Sequence, residues 1–252
     1  MRVQYITSAC VLVEHRGVRV LCDPWLTEGI YYGSWFHYPP LRFRPEDFSD
    51  VDFLHLSHIH PDHVDPDTLR RLPRSLPILI HDYEDKFLFR LLAGIGFQEI
   101  REVPHGEAVR LGEDFTMELL AADNCDPMIC GRFFGCQISE PYRKTIQLDS
   151  LALVQGGGQT VLNANDSPYG LARGVCDHVL KRCSKVDLAL LGYGGAGEYP
   201  QCFEMDRSTL EQRGQQKRRQ FLKQAADYLR HLRPARFMPF GGQYTLGGKL
   251  AP

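Results

Sequence analysis

Short runs of apolar residues separated by turns dominate the first part of the chain. Arg2 to Thr7, Val11 to His15 and Val18 to Asp23 alternate or cluster apolar side chains, which predicts three β-strands. His15-Arg16-Gly17, between the second and third runs, is typical of a tight hairpin turn. The chain therefore opens as β structure.

Helical spacing then appears between further strand patterns. The predicted helices are Pro66 to Leu72, Tyr83 to Ala93, Leu171 to Lys181 and Asp206 to Leu232. The further predicted strands are Val51 to Ser57, Pro77 to His81, Glu99 to Val103, Ala108 to Leu111, Phe115 to Leu120, Ser150 to Gln155, Thr160 to Asn163, Asp187 to Leu191 and Arg236 to Pro239. This order predicts an α/β fold, and because no repeat or linker interrupts it, we predict one domain over residues 1–252.

Composition and charge narrow the class of protein. The 252 residues include 29 Lys and Arg against 31 Asp and Glu, a formal net charge of −2. This balance disfavours nucleic acid as a partner, because binding to phosphates needs a concentrated positive surface. No apolar run approaches the ~20 residues that cross a bilayer. The eight cysteines are scattered without CxxC spacing, which is typical of buried free thiols in a protein from a reducing compartment. We expect a cytoplasmic protein with a small-molecule substrate and no membrane partner.

A cluster of imidazoles and a carboxylate follows directly on the strand pattern Val51 to Ser57. Its members are His58, His60, Asp62 and His63. Imidazole nitrogens and carboxylate oxygens hold zinc or iron at about 2.0–2.2 Å. Alternation places His58 and His60 on one side of the loop, whereas Asp62 and His63 turn toward a second position. The spacing therefore predicts two adjacent divalent metal ions.

The stretch from Pro24 to Pro45 is unusually rich in proline and aromatic residues. A loop of this length inside a domain is often functional, although its aromatic side chains could equally pin it to the surface. A glycine-rich segment, Gly192 to Pro200, follows a later strand, and its glycines allow close approach of the backbone to a ligand. The predicted pocket residues from these two segments are Trp25, Tyr32, Trp35, His37 and Tyr193.

The pattern HxHxDH after a buried strand, preceded by Asp23-Pro24-Trp25-Leu26, resembles the metallo-β-lactamase superfamily. Within it, the chain is similar to the branch of CMP-N-acetylneuraminate hydroxylases and ascorbate-6-phosphate lactonases. The resemblance implies an αββα sandwich, two mixed β-sheets flanked by helices, with a metal site at the edge between the sheets. By position it implies His58 and His60 at the first metal, Asp62 and His63 at the second, and Asp166 as the bridging carboxylate. An alternative for Asp166 is a turn or helix-cap role.

Two histidines of the family pattern have no counterpart in this chain. The sequence reads Ala121 to Pro127 after one strand and Phe240 to Tyr244 after another, without histidine. The candidate replacements for the first are Asp123, Cys125 and Asp126, and His81 and His105 are further candidates because they follow strands. Oxygen ligands in place of imidazole would favour iron or manganese over zinc.

The predicted function is metal-dependent hydrolysis of a small polar or anionic metabolite at an ester, lactone, amide or phosphoester bond. Two bound zinc, iron or manganese ions would deprotonate a water molecule, with Asp62 and His63 as the predicted catalytic residues. One alternative is a di-iron oxygenase or oxidase acting on a sugar, amino acid or natural-product intermediate, which would need an external reductase. Another is a non-catalytic metal-binding protein with a partial site.

Overall fold

A computed structural model describes residues 1–83, 85–122, 149–195, 199–200 and 203–248. The first of its two six-stranded sheets contains, in spatial order, β1 (Arg2–Thr7), β2 (Cys10–His15), β3 (Val18–Cys22), β5 (Phe53–Leu56), β6 (Ile78–His81) and β7 (Ile100–Val103). Strands β1 to β3 are antiparallel, whereas β3, β5, β6 and β7 are parallel. The loops that leave β3 and β5 therefore start at the same edge.

The second sheet has the mirrored arrangement of antiparallel and parallel strands. Its spatial order is β13 (Arg236–Phe240), β12 (Leu188–Gly192), β11 (Gln159–Asn163), β10 (Ser150–Gly156), β9 (Phe115–Ala121) and β8 (Ala108–Gly112). Strands β11 to β13 are parallel, and β8 to β11 are antiparallel. The end of β9, the start of β10 and the end of β11 consequently lie at one edge.

Helices cover the outer faces of both sheets. They are α2 (Pro66–Leu69), α3 (Phe87–Ile95), α4 (Tyr169–Arg182) and α5 (Arg207–Leu232), with a 3₁₀ helix at Pro45–Phe48. The short segment α1 (Ile30–Gly33) lies instead in the aromatic loop, where Ile30 packs with Trp25 and Trp35. One apolar core, which includes Phe115, lies between the sheets. Outer cores include Leu88 of α3 on the first sheet and Val175 of α4 on the second. Mixed sheets flanked by helices confirm the predicted αββα sandwich.

Local chemistry explains where α2 begins. The Asp65 side chain accepts hydrogen bonds from the backbone nitrogens of Asp67 and Thr68, and Pro66 takes the first helical position. This cap matters for the site, because α2 begins directly after the His58 to His63 loop and fixes its far end. Within the described ranges, no helix has both the length and the apolar character needed to span a bilayer.

The aromatic loop contains structure that the sequence pattern did not predict. A three-residue strand, β4 (Trp35–His37), pairs with β14 (Tyr244–Leu246) to form a small antiparallel sheet. The Trp35 ring stacks on Tyr244 with centroids 3.9 Å apart. The loop is thus joined to the C-terminal part of the fold, at the edge that carries the imidazole cluster.

Candidate metal centre

The imidazole cluster is held in a turn at the end of β5. The backbone nitrogens of His63 and Val64 both donate to the carbonyl of His60, at 2.9 and 2.8 Å. The Ser57 nitrogen donates to Asp23 Oδ1 at 2.8 Å, which ties the start of the loop to the end of β3. This turn brings together the predicted ligands of the loop, and His58 and His63 are fully buried.

Two groups of ligand atoms form, and they share one carboxylate. His58, His60 and Asp166 make the first group, and Asp62, His63 and Asp166 make the second, with the atoms of each group within 4.8 Å of one another. Asp166 follows β11, so the second sheet supplies the residue that joins two groups from the first sheet. Among the described residues, these two groups are the same as the first and second metal positions that the family resemblance implies, with Asp166 shared between them.

Distances around His63 fit metal coordination. His63 Nε2 lies 3.4 Å from Asp166 Oδ2 and 3.7 Å from Asp62 Oδ2, whereas His58 Nε2 and His60 Nδ1 are at hydrogen-bond distance, 2.8 Å. Two ligands about 2.1 Å from one tetrahedral ion are themselves about 3.4 Å apart. His63 Nε2 is buried, and among the described residues it makes no hydrogen bond. The residues present therefore fit a pair of metal ions.

Neighbouring groups orient the ligand rings from behind. Asp23 Oδ2 lies 3.3 Å from His63 Nδ1, and Ser57 Oγ lies 3.0 Å from His58 Nδ1 and 3.3 Å from His63 Nδ1. Contacts on Nδ1 direct Nε2 toward the ligand groups, and such outer partners fix the tautomer and orientation of metal-binding histidines. Asp23 has a left-handed backbone conformation, with φ of 46°. Strain of this kind commonly lies at functional sites.

Burial and charge shift the pKa values of the ligand groups. Burial lowers the pKa of His58 well below its ordinary value, and the positive charges of His63 and His60 add to this. Burial also opposes the charged form of His63, but the carboxylates of Asp166, Asp62 and Asp23 outweigh it and raise the pKa of His63 well above its ordinary value. The three carboxylates thus favour a positive charge at His63, whether a bound proton or a metal ion supplies it.

Comparison with known proteins identifies the fold. Residues 2–124 match the β-lactamase superfamily domain. The chain has the metallo-β-lactamase fold. Among solved structures, an isothiocyanate hydrolase from Delia radicum gut bacteria has a TM-score of 0.66 and 16% identity, over 97% of this chain and 86% of that one. CmlA, a diiron β-hydroxylase from Streptomyces venezuelae, has a TM-score of 0.62 and 22% identity, over 94% of this chain and 44% of the CmlA chain.

Two curated relatives match nearly the whole chain by sequence. The cytidine monophosphate-N-acetylneuraminic acid hydroxylase of Mus musculus is 25% identical, over 97% of this chain and 39% of its own length. A protein named as a Rieske 2Fe-2S iron–sulfur protein of Mycolicibacterium smegmatis is 30% identical, over 96% of this chain and 43% of its own length. The chain thus spans about two fifths of the length of these relatives.

A tyrosine that the sequence does not single out contacts the candidate metal centre of this metallo-β-lactamase fold. Tyr31 donates from its hydroxyl to Asp62 Oδ1 at 3.1 Å, and its ring packs on Trp35 with centroids 4.4 Å apart. Tyr31 and Tyr32 both have left-handed φ values, 50° and 62°. The predicted pocket residue Tyr32 is fully exposed. Burial, followed by the charge of Asp62, raises the pKa of Tyr31, which therefore acts as a neutral donor.

A second residue missed by the sequence analysis is Asp149, which directly precedes β10. Its side chain is buried, and Oδ1 lies 3.6 Å from His58 Nε2 and makes no hydrogen bond to the part of the chain that the structure describes. Burial and the negative charge of Asp166 raise its pKa to about 7. A carboxylate immediately before a predicted strand was the only signal that the sequence offered.

The other predicted pocket residues occupy different environments. Trp25 is fully buried, and its ring lies 3.9 Å from that of His37, whose Nε2 is 3.1 Å from the Trp25 carbonyl oxygen. Trp35 is also buried, between Tyr31 and Tyr244. Tyr193 is half-buried after β12. The rings of Trp25, Trp35 and His37 thus lie in packing contacts, and the role of all four residues in a pocket stays a prediction.

The candidate replacements for the missing histidine divide into two sets. Asp123, Cys125 and Asp126 lie outside the described residues. His81 has Nδ1 3.2 Å from the Val103 carbonyl oxygen, and His105 Nδ1 accepts from the Ala121 nitrogen at 3.1 Å. These contacts engage Nδ1 of both rings with the backbone. Neither His81 nor His105 belongs to the two ligand groups found among the described residues.

Proposed function

We propose that this protein is a dinuclear metalloenzyme that acts on a small polar or anionic molecule. The observation that carries the proposal is that the two ligand groups share Asp166. A carboxylate between two dications lets them lie close because its negative charge offsets their repulsion. Two ions held by these residues would stabilise negative charge that develops on an oxygen atom during the reaction.

For the reaction, we favour oxygen-dependent hydroxylation. The curated relative named as a hydroxylase is 25% identical along 97% of this chain. The site also combines three imidazoles with the carboxylates of Asp62 and Asp166, and mixed histidine and carboxylate ligands are typical of di-iron proteins. Iron ions, when bound, supply the redox chemistry that activates O₂. One oxygen atom enters a substrate C–H bond and the other leaves as water. The reaction therefore consumes two electrons, which an external reductase or iron–sulfur protein must supply, and two protons from the solvent.

Residues around the ligand groups orient the ligands and exclude water from the site. Asp23 and Ser57 orient the rings of His63 and His58 by their contacts with Nδ1. Tyr31 donates to Asp62 Oδ1, which leaves Oδ2 directed toward His63. The buried rings of His58 and His63 exclude water from one side of the two metal positions. Exclusion of water strengthens electrostatic interactions inside the site.

Hydrolysis of an ester, lactone, amide or phosphoester is the second candidate function. The observation that favours it is that the Asp62 carboxylate lies within 4.8 Å of the shared Asp166. A carboxylate in this position would orient a water molecule and accept its proton. A bound metal ion lowers the pKa of water from 15.7 toward about 7. Unlike hydroxylation, this reaction requires no electron donor.

One experiment separates the two reactions. The protein is loaded with Fe(II) or Zn(II) and offered a panel of lactones, esters, phosphoesters and sugar nucleotides, under nitrogen and in air with a chemical reductant. We expect product only in air, with iron, and with O₂ consumed in step. Cleavage under nitrogen would support hydrolysis instead. If neither occurs and His60→Ala leaves the metal content unchanged, the protein is not a dinuclear enzyme.

A further inference from the structure

We propose that the basic half of α5, residues 207–223, is the docking surface for an electron donor, a small iron–sulfur protein with an acidic surface. The inference rests on the proposed hydroxylation, which consumes two electrons. A reduced [2Fe–2S] protein is oxidised by one electron, so two docking events reduce the metal centre by the two electrons of one turnover. The inference concerns the place on this chain where those electrons enter.

The basic half of α5 is highly charged and largely exposed. Residues 207–223 contain six basic side chains and one acidic side chain, whereas the whole chain has a net charge of −2. The structure describes all 26 residues of α5, and only Tyr228 and Leu232, in the other half, are buried. A helix segment that is polar on nearly all sides and is not held by packing is typical of a surface that contacts another molecule or domain.

Several cations of this surface are not neutralised within the chain. Among the described residues, the exposed side chains of Arg213, Arg218 and Arg219 form no ion pair. Arg213 lies four residues before Lys217, and like charges at this spacing destabilise a helix. Arg219 has the same relation to Lys223. Acidic side chains of a partner would pair with these guanidinium groups and offset the repulsion.

An exposed apolar side chain lies among the cations. Leu222 is 47% exposed, and it follows Arg218 by four residues, so both side chains lie on the same face of α5. Protein–protein interfaces combine an apolar centre with a polar rim, whereas nucleic acid is held mainly through cations and hydrogen bonds to phosphate. The combination therefore favours a protein partner with acidic side chains around an apolar contact.

The next turn of α5 lies beside the shared metal ligand. Tyr228 donates from its hydroxyl to the Ser167 carbonyl at 2.8 Å. Phe221 and Asp166 line the same small cavity. Because an α-helix rises about 1.5 Å per residue, Arg219 lies only about 3 Å along the axis from Phe221. A donor on the basic half of α5 would thus be next to the candidate metal centre, as electron transfer requires.

Titration with an acidic plant-type [2Fe–2S] ferredoxin tests the inference. Calorimetry measures its binding to the metal-free protein, and stopped-flow absorbance measures how fast the iron-loaded protein oxidises the reduced ferredoxin. The double variant Arg218→Glu/Arg219→Glu should lower affinity and rate by about 10- to 100-fold at low ionic strength, and added salt should shrink the difference. Arg90→Glu/Arg173→Glu changes the charge equally at exposed arginines of α3 and α4 and should behave as the wild type.

A neutral pair of substitutions guards against an effect of the introduced carboxylates on folding. Arg218→Gln/Arg219→Gln removes the two positive charges without adding negative ones. It should lower affinity and rate in the same direction by a smaller factor, with an unfolding curve that matches the wild type. Unchanged binding and rate in this folded variant would contradict the proposed surface.

The outcomes separate this inference from the proposed function. If a chemical reductant supports product formation in air but the ferredoxin does not bind, or binds all variants equally, the docking surface is wrong and the hydroxylation stands. If no reductant supports O₂ consumption by the iron-loaded protein, the hydroxylation fails and the inference fails with it. Binding of a single-stranded oligonucleotide or an anionic lipid vesicle through the same two arginines, in place of the ferredoxin, would also overturn the inference.

Discussion

Two clusters of buried carboxylate and imidazole groups differ in how their atoms are satisfied. On β9, Glu118 is 3% exposed, and its two oxygens lie 2.5 Å from His178 Nε2 and 3.3 Å from Arg182 Nη2. In the candidate metal centre, His63 Nε2 and Asp149 Oδ1 have no hydrogen-bond partner within the described ranges. Among the described residues, only the metal centre brings three ligand atoms within 4.8 Å. The same residue types are thus internally paired in one cluster and left open for a cation in the other.

Removing the shared carboxylate should have the largest effect. In Asp166→Ala, each group keeps only two of its three ligand atoms, so we expect metal content to fall from two equivalents to at most one and turnover to be lost. Elemental analysis after dialysis measures this. Asp177→Ala, at an exposed carboxylate on α4, is the control, and two retained equivalents in Asp166→Ala would contradict a shared ligand.

The next effect concerns the carboxylate behind His63. Asp23 accepts from the Ser57 nitrogen through Oδ1 and faces His63 Nδ1 through Oδ2. Asparagine offers only one oxygen, so Asp23→Asn should weaken the binding of one metal equivalent by roughly 10- to 100-fold. Competition with a chelator measures the affinity. An unchanged affinity would mean that Asp23 stabilises the loop without orienting the ligand.

The paired cluster on β9 should respond in stability rather than in metal binding. Glu118→Gln replaces a buried charge that faces His178 and Arg182, and we expect unfolding free energy to fall by roughly 1–3 kcal/mol. Urea denaturation measures the loss. Metal content should match that of the wild type. A loss of bound metal in this variant would break the distinction between the two clusters.

The smallest effect should come from the hydroxyl of Tyr31. Tyr31→Phe removes the donor to Asp62 Oδ1, a bond worth about 0.5–1.5 kcal/mol, or roughly two- to tenfold in metal affinity. Tyr32→Phe changes the fully exposed neighbour and should have no effect. Equal affinities in both variants would show that the Tyr31 contact does not support the ligand.

The fold and the loop ligands were predictable because their signals are local. Apolar runs marked the strands of both sheets, and His58 to His63 lie within one stretch directly after β5. The strands β4 and β14 were missed because each has three residues and pairs with a segment about 200 residues away. Their pairing depends on tertiary contacts that a local pattern does not contain.

The remaining site residues depend on contacts that are distant in sequence or on unusual backbone angles. Asp149 reaches His58 only because β9, β10 and β11 place it at the same edge as Asp166. Tyr31, rather than Tyr32, reaches Asp62 because two consecutive left-handed residues change the direction of the loop. Such conformations are rare outside glycine, so residue type alone does not predict them.

Anomalous X-ray diffraction from crystals equilibrated with ferrous salt tests the central claim most directly. The account predicts two iron peaks about 3.5–4 Å apart, one beside His58 and His60 and the other beside Asp62 and His63, with Asp166 between them. A map with no peak at these residues, or with a single peak that leaves Asp166 unbound, would contradict it.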